Sequence, residues 1–346
     1  MKVVFVADLK NPSTSGRQRL WALKQCGIDV SVITTEDYPS VFGKWAYYIA
    51  RIFKRPRLMR NARLLEQAIL DISKQVKPEI IWLEWPRQLS INLINELKKI
   101  EPRPFLISFQ DDNPWGKRTN DLWLWREYLK IVPLFDLHLV KRESDIVHLS
   151  ALGAKACRLW RHGIYSPIFH PSIEPVEIEY PVSFVGTCMD GREKLIGFLL
   201  ENKIPIHVFG HHWNRRSDLP QRFPANFHPP VEGENYAEVI RKSQICIGLV
   251  SHSNLDEWTM RTYEVPGCAR LLLAERTPYH QLLFVENEDA ILFSNIEECR
   301  KILMGLLSDK NRCLAMGRVA YERFTNHHYK LEDSMQELLD FLKQTL

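Results

Sequence analysis

The densest group of chemistry-bearing side chains runs from Asp256 to Cys268: Asp256, Glu257, Trp258, Thr259, Met260, Arg261, Thr262, Tyr263, Glu264, Val265, Pro266, Gly267, Cys268. A guanidinium and a carboxylate three positions apart can share a nucleotide, with Glu264 accepting both hydroxyls of a ribose and Arg261 donating to a diphosphate. Proline is tolerated in the first turn of a short helix but not deep inside one, so Pro266 predicts that Glu264 lies near a helix start. Free N–H groups there would add to an anion site. Taken alone, the same residues also fit a capped helix with a surface ion pair.

Further candidates sit at the ends of apolar runs. Asp111, Asp112, Asn113 and Pro114 follow a run ending at Phe109. A carboxylate there can act as general base on a hydroxyl or hold that hydroxyl in place, and an Asx turn leading into Pro114 explains the residues equally well. Asp8 and the stretch Ser13 to Arg17 form the first strand-to-helix loop, where Gly16 offers a close approach to the backbone. Gly186 and Gly210 each end an apolar run; Arg192 follows the first, His211 and His212 the second. In an open parallel sheet such ends are where ligands bind, although a plain turn glycine is common.

Other chemistries are excluded by what is missing. There is no Gly-x-Gly-x-x-Gly and no Walker pattern, and no histidine pair has zincin spacing. The seven cysteines are odd in number, widely spaced and never Cys-x-x-Cys, which argues against a disulfide framework or zinc site. A net charge of +4 over 346 residues is too small for a dedicated nucleic-acid binder.

The elements that must position these residues alternate. Apolar strands Lys2 to Ala7, Asp29 to Thr34, Glu79 to Trp85, Phe105 to Phe109 and Leu137 to Val140 are separated by helical stretches, among them Gly16 to Gln25, Leu58 to Lys74, Leu89 to Lys99 and Thr119 to Lys130. Pro167, Pro171, Pro175 and Pro181 then interrupt the pattern and suggest a domain boundary. The alternation restarts with Val182 to Gly186, Arg192 to Glu201, Ile206 to Gly210, Tyr236 to Arg241 and Ile245 to Val250. The length itself calls for two domains.

The stretch from Arg261 through Gly267 to Leu273 resembles the donor-site segment of GT-B glycosyltransferases, in particular the family related to spore-maturation protein CgeB. The likeness extends to Phe184, Val185, Gly186 and Arg192, to Val208, Phe209, Gly210 and Trp213, and to the tail from His280 and Phe284 to Cys299. It implies an α/β protein of two Rossmann-like doubly wound domains facing a central cleft. The acceptor would bind in residues 1–168 and the nucleotide-sugar in 171–325, with 326–346 a helix crossing back. On this resemblance the donor would be held by Gly186, Arg192, Gly210, His211, Arg261 and Glu264, and the acceptor by Asp8 and Gly16. Asp111, Asp112 and Asp256 are the catalytic candidates. Asp256 stands where many retaining relatives carry the first Glu of a Glu-x7-Glu motif, which tilts the reading toward retention of configuration.

The implied reaction moves a sugar from a nucleoside diphosphate to an acceptor hydroxyl of a glycan, lipid-linked or polysaccharide substrate, with no metal or other cofactor. A nucleotide-sugar epimerase and a catalytically silent binding protein are the alternatives. Met1 to Ala7 is too short for a signal-peptide core, and no run reaches the roughly 18 residues that span a bilayer, so the expected location is cytoplasmic. Lys44 to Arg63 holds seven cations, no acid, and Trp45, Tyr47, Tyr48, Ile52 and Phe53. Such a segment suits peripheral contact with an anionic membrane surface, or a helix whose aromatics pack inward.

Overall fold

Runs such as Val3 to Ala7, Ile80 to Glu84 and Leu271 to Ala274 are buried residue after residue, without the polar alternation of a half-exposed strand. This is what strands covered by helices on both faces require. In the computed structural model, which describes residues 1–11 and 14–346, these runs form two all-parallel, six-stranded sheets. Ser13 of the first strand-to-helix loop lies outside the described residues. The first sheet contains β1 (Lys2–Ala7), β2 (Asp29–Thr34), β3 (Ile80–Glu84), β4 (Phe105–Gln110), β5 (Leu137–Val140) and β6 (Cys157–Leu159), in the order β2-β1-β3-β4-β5-β6. The second contains β7 (Tyr180–Val185), β8 (Ile206–Phe209), β9 (Phe227–His228), β10 (Ser243–Gly248), β11 (Leu271–Glu275) and β12 (Ala290–Phe293), in the order β12-β11-β10-β7-β8-β9. Each sheet is doubly wound in the Rossmann-like manner.

Side chains of the second sheet divide strictly by face. Leu271 and Leu273 join Val182, Phe184 and Ile245 in one core, while Leu272 and Ala274 join Cys246, Val265 and Tyr263 in another. In the first sheet Val4, Val6, Ile81, Leu83 and Leu106 pack with Leu65, Ile69, Leu93 and Tyr128. Strand order reverses at β1 beside β3 and at β7 beside β10. The carboxyl ends of those strands are where an open α/β sheet binds ligands.

Contacts divide the chain into two units, Met1–Arg161 with Ser334–Leu346, and His162–Asp333. This differs from a boundary at 168–171. Ile164 and Phe169 pack in the second unit's core, and Ile164 exchanges main-chain hydrogen bonds with Tyr329 and Leu331. The proline run therefore ends regular structure without ending a unit. The tail joins the first unit from Ser334, not from 326: Ser334 Oγ donates to the Arg161 carbonyl at 2.7 Å and Arg158 pairs with Glu337 at 2.9 Å. Among the described residues no helix is long and apolar enough to cross a membrane.

The loops after β7 and β8 are laced together, since the Gly186 N–H donates to Phe209 at 2.8 Å and the Cys188 N–H to His211 at 2.9 Å. A Cβ on Gly210 would stand 2.1 Å from the Gly186 carbonyl oxygen, so backbone would have to move. Gly305, in the helix Ile296–Leu306, meets nothing within 4 Å. We expect Gly210→Ala to cost about 1–3 kcal/mol and Gly305→Ala to add about 0.5–1 kcal/mol. Urea unfolding midpoints measure both, and equal midpoints would contradict this account of Gly210.

Candidate functional site

At the carboxyl edge of the second sheet, β7 leads through Gly186 to Gly191 into the helix Arg192–Glu201, and β10 leads through Leu249 to Met260 into the helix Arg261–Gly267. Arg261 reaches back across this edge. Its Nε donates to the Val185 carbonyl at 2.6 Å and its guanidinium lies 5.6 Å from the Phe184 ring centroid. A Cβ on Gly186 would stand 2.9 Å from Arg261 Nη2 and 2.8 Å from the Phe184 ring, so glycine is needed there to admit Arg261. The space beside Gly210 is likewise taken by Gly186. At both glycines the close approach is of protein to protein, which corrects the expectation that they make room for nucleotide.

Arg192 is almost fully buried and also stands 5.6 Å from the Phe184 ring. Its Nη1 donates to Thr187 O at 3.1 Å and its Nη2 to Leu249 O and Val250 O at 3.3 and 3.4 Å. It thus clips together the loops after β7 and β10. Burial, then the neighbouring Arg261, brings its pKa down to about 10. The structure separates two arginines expected to act alike. Arg192 spends its terminal nitrogens on carbonyls, while those of Arg261 have no protein acceptor among the described residues.

Glu264 accepts a 2.8 Å hydrogen bond on Oε2 from the Tyr236 hydroxyl, offered from the helix Gly233–Arg241. Burial raises its pKa to about 7, against the opposing pull of Arg261 and of the Tyr236 bond. The expected anion site at the helix start is absent. The N–H groups of Thr262, Tyr263 and Glu264 already donate to Thr259 and Met260 at 2.9–3.0 Å. Pro266 also sits in the helix's last turn rather than its first, where the N–H it lacks would have paired only with Thr262. Asp256 is half-buried in the loop before this helix, its N–H on the Ser251 carbonyl at 3.0 Å. His211 is exposed, its ring 6.1 Å from that of His212.

The edge has supports that the sequence did not flag. Asp190 accepts from Ser251 Oγ at 2.8 Å and Ser253 Oγ at 3.1 Å, bridging the two loops; burial opposes its ionisation, but these hydroxyls hold its pKa below the usual carboxylate value. Trp213 Nε1 donates to Gly186 O at 2.9 Å, and Glu275 accepts from the Val250 N–H at 2.6 Å. Tyr236, 28 residues from Glu264, gave no sequence signal.

In the first unit the carboxyl edge is organised by a buried ion pair. Arg19 forks onto Glu84, with Nη2 2.9 Å from Oε2, and lies 4.2 Å over the Phe109 ring. Burial pushes the Glu84 carboxyl up while Arg19 pulls it down. A Cβ on Gly16 would meet Asp8 O and Glu84 Oε2 at 3.0 Å, so Gly16 lets its helix close onto this pair and leaves no space for an acceptor. Asp8 bonds Thr35 and Arg60, the latter at 2.7 Å. Asp111 lies 3.9 Å from Arg19, and Arg142 holds its main-chain oxygen at 2.8 Å. Asp112 lies 4.0 Å from Arg87, which stacks on Trp85 and Trp125 and whose pKa burial lowers to about 10. The Asx turn is made by Asn113, whose Oδ1 accepts from the Trp115 N–H at 2.8 Å. Gln110, at the end of β4, is buried with neither side-chain oxygen nor nitrogen paired. Among the described residues no group of three or more His, Cys, Asp or Glu is placed to hold a metal.

Residues 192–340 match the profile of a family described as glycosyl transferase-like. No curated protein sequence matches the chain. Among solved structures, sucrose-phosphate synthase from Thermosynechococcus elongatus superposes with a TM-score of 0.71 at 12% identity, covering 100% of this chain and 99% of that one. HepE of Anabaena in complex with UDP-glucose gives 0.66 at 11% identity over 99% and 100%. A glycosyltransferase from Rickettsia africae gives 0.64 at 12% over 99% and 98%. The fold is GT-B, and the likeness to the glycosyl transferase-like family covers residues 192–340.

The Glu264 pKa gives this site a signature in stability. Its folded value of about 7 lies above the ordinary 4.5, so the folded state keeps a proton that the unfolded state has released. Stability from this group is complete below pH 4.5 and is lost as pH rises to about 7, by about 3 kcal/mol. We expect Glu264→Gln to remove that part of the decline, read as the difference between wild type and variant in urea unfolding at about pH 4.5 and about pH 8. An unchanged difference would mean that Glu264 is ionised in the folded protein across this range.

Proposed function

We propose that this chain, with its glycosyl transferase-like domain in a GT-B fold, transfers a sugar from a nucleoside diphosphate to an acceptor hydroxyl. The observation that carries the reading is Arg261, fixed by one nitrogen to β7 with its other two lacking an acceptor among the described residues, beside a buried carboxyl. Glu264 Oε2 is oriented by Tyr236, and Oε1 remains to accept from ribose hydroxyls. Arg261 would meet the diphosphate as charge develops on it, and Arg192 would stiffen the edge and add its field. Guanidiniums thereby take the role that a metal takes elsewhere, and the reaction we infer is metal-independent.

On the acceptor side, Asp112 is the candidate general base. Arg87 stands 4.0 Å from it, and Gln110 can hold a sugar hydroxyl through its unpaired amide. Asp111 is tied to the Arg19–Glu84 pair and serves better as a support. The Asp256 spacing favours retention of configuration. HepE is described with UDP and UDP-glucose, which makes UDP the first nucleotide to try. We further infer that the basic segment rests on an anionic membrane, which suits a lipid-linked acceptor. Trp45, Tyr48, Ile52 and Phe53 are all more than half exposed, so the reading in which they pack inward does not hold.

Thermal unfolding with UDP, GDP, dTDP and CMP tests the donor site. A nucleotide at 100 times its Kd stabilises by about 2.7 kcal/mol. Arg261→Ala should weaken that nucleotide about 10- to 100-fold, the value of a charge-assisted hydrogen bond. Asp112→Asn should lower kcat by about 10²–10⁴ without weakening nucleotide binding. Recovery of an isomerised nucleotide-sugar instead of a glycosylated acceptor would replace transfer with epimerisation. No response to any nucleotide would leave a silent binding protein.

A further inference from the structure

The helix Ala46–Phe53 is fastened by one side only. Ala46 and Ala50 are buried, and the Tyr47 ring lies 6.1 Å from that of Trp123. The opposite side carries Trp45, Tyr48 and Ile52, spaced three and four apart so that they form one stripe, with exposures of 58, 58 and 76%. Phe53 adjoins it at 64%, and Val41, shortly before the helix, is exposed at 81%. Exposed Lys44 and Arg51, seven residues apart, flank the stripe. No acid occurs from Tyr38 to Leu65.

At the end of the stripe the chain turns through Lys54, at φ 51°, and the Arg55 N–H donates to the Ala50 carbonyl at 2.9 Å. This turn opens a cavity of about 440 Å³ lined by Arg55, Pro56, Arg57, Leu58, Arg126 and Glu127. Arg57 is bound to Glu66 and to the Gln88 carbonyl, and Glu127 is paired with Lys130 at 3.1 Å. The side chains of Arg55 and Arg126 have no hydrogen-bond or ion-pair partner among the described residues. Arg126 comes from a different helix, Arg126–Ile131, and lies outside the basic segment altogether.

We propose that this cavity takes the phosphate of an anionic lipid headgroup between Arg55 and Arg126 while the stripe lies in the bilayer interface. The proposal rests on the membrane reading above and adds the site that reads the lipid. Free guanidinium forks match phosphate oxygens in pairs. Pro56 and Leu58 give the cavity an apolar side for the glycerol end of the lipid. An aromatic and aliphatic stripe beside cations is what an interfacial helix presents to anionic lipid.

Co-sedimentation of the full chain with vesicles tests this, using phosphatidylcholine alone and phosphatidylcholine mixed with phosphatidylglycerol. Wild type should sediment with the mixed vesicles and not with the neutral ones. Each of Arg55→Ala and Arg126→Ala should weaken binding about fivefold, and the double variant about 25-fold, at roughly the known worth of a cation at such a surface. Ile52→Glu should abolish sedimentation. Retained stabilisation by nucleotide in every variant would show that the protein is folded and that the donor site is separate. If Arg126→Ala binds like wild type while Ile52→Glu does not bind, the headgroup site is wrong and the membrane surface stands. If wild type binds neither vesicle, or both equally, the anionic-membrane reading falls as well.

Discussion

Two positive charges at the carboxyl edge of β7 are held by main-chain carbonyls and the face of one aromatic ring. Arg192 and Arg261 stand at 5.6 Å from Phe184, and neither has an ion-pair partner among the described residues. Carbonyl dipoles and a ring quadrupole compensate a guanidinium only in part, and the Arg261 charge adds to the cost of the one on Arg192. Much of the local structure follows from this arrangement. Gly186 must lack a side chain, Trp213 must hold the Gly186 carbonyl, and Asp190 must join the loops from which Arg192 takes its acceptors. An anion arriving at this edge would relieve a repulsion that the fold has already built in.

The first unit handles the same problem in the opposite way. Arg19, buried like Arg192, forks onto Glu84 and stacks on Phe109, so its charge is answered inside the protein and it holds a helix against the sheet. At the carboxyl edge of that unit, Gln110 and Arg87 are the less well answered groups. One is a neutral amide, the other a guanidinium under-compensated by a carboxylate at 4.0 Å. An unpaired amide in a buried position costs about 1–3 kcal/mol until something bonds to it, and a sugar hydroxyl, donor and acceptor at once, suits it. On the function proposed above, two similar sheets would therefore take different ligands: a charged one in the second unit, a hydroxylated one in the first.

The alternation of buried strands and helices was readable because parallel strands are apolar throughout, and Arg192–Glu201 came out with the expected bounds. Arg261 and Glu264 were singled out as a short motif backed by resemblance, and the structure sets them in one short helix, Arg261–Gly267. What sequence could not show was set by contacts between distant residues. Tyr236 reaches Glu264 across 28 positions, and Gly186 and Gly210 are glycines because they touch Arg261 and each other. The prolines of 167–181 were legible as a break but not as a boundary, since Ile164 and Phe169 are claimed by the second core. One missed signal was available. Arg19 lies on the apolar face with Ala22 and Leu23, and a charge in that position requires a buried partner.

Charge distribution gives the basic segment its weight. The whole chain carries +4, yet Lys44 to Arg63 alone carries +7, which leaves the remaining residues at −3. The positive field is thus concentrated on one segment of the first unit while the rest of the surface is mildly repelled by anions. Exposed charges more than a Debye length of about 8 Å apart are screened from one another, so this segment acts locally. The basic segment is open and hydrated, whereas the Arg192–Arg261 pair of the second unit is largely withdrawn from water, Arg192 being buried and Arg261 half-buried. Salt should weaken the first much more than the second, because only the first exposes most of its charge to water.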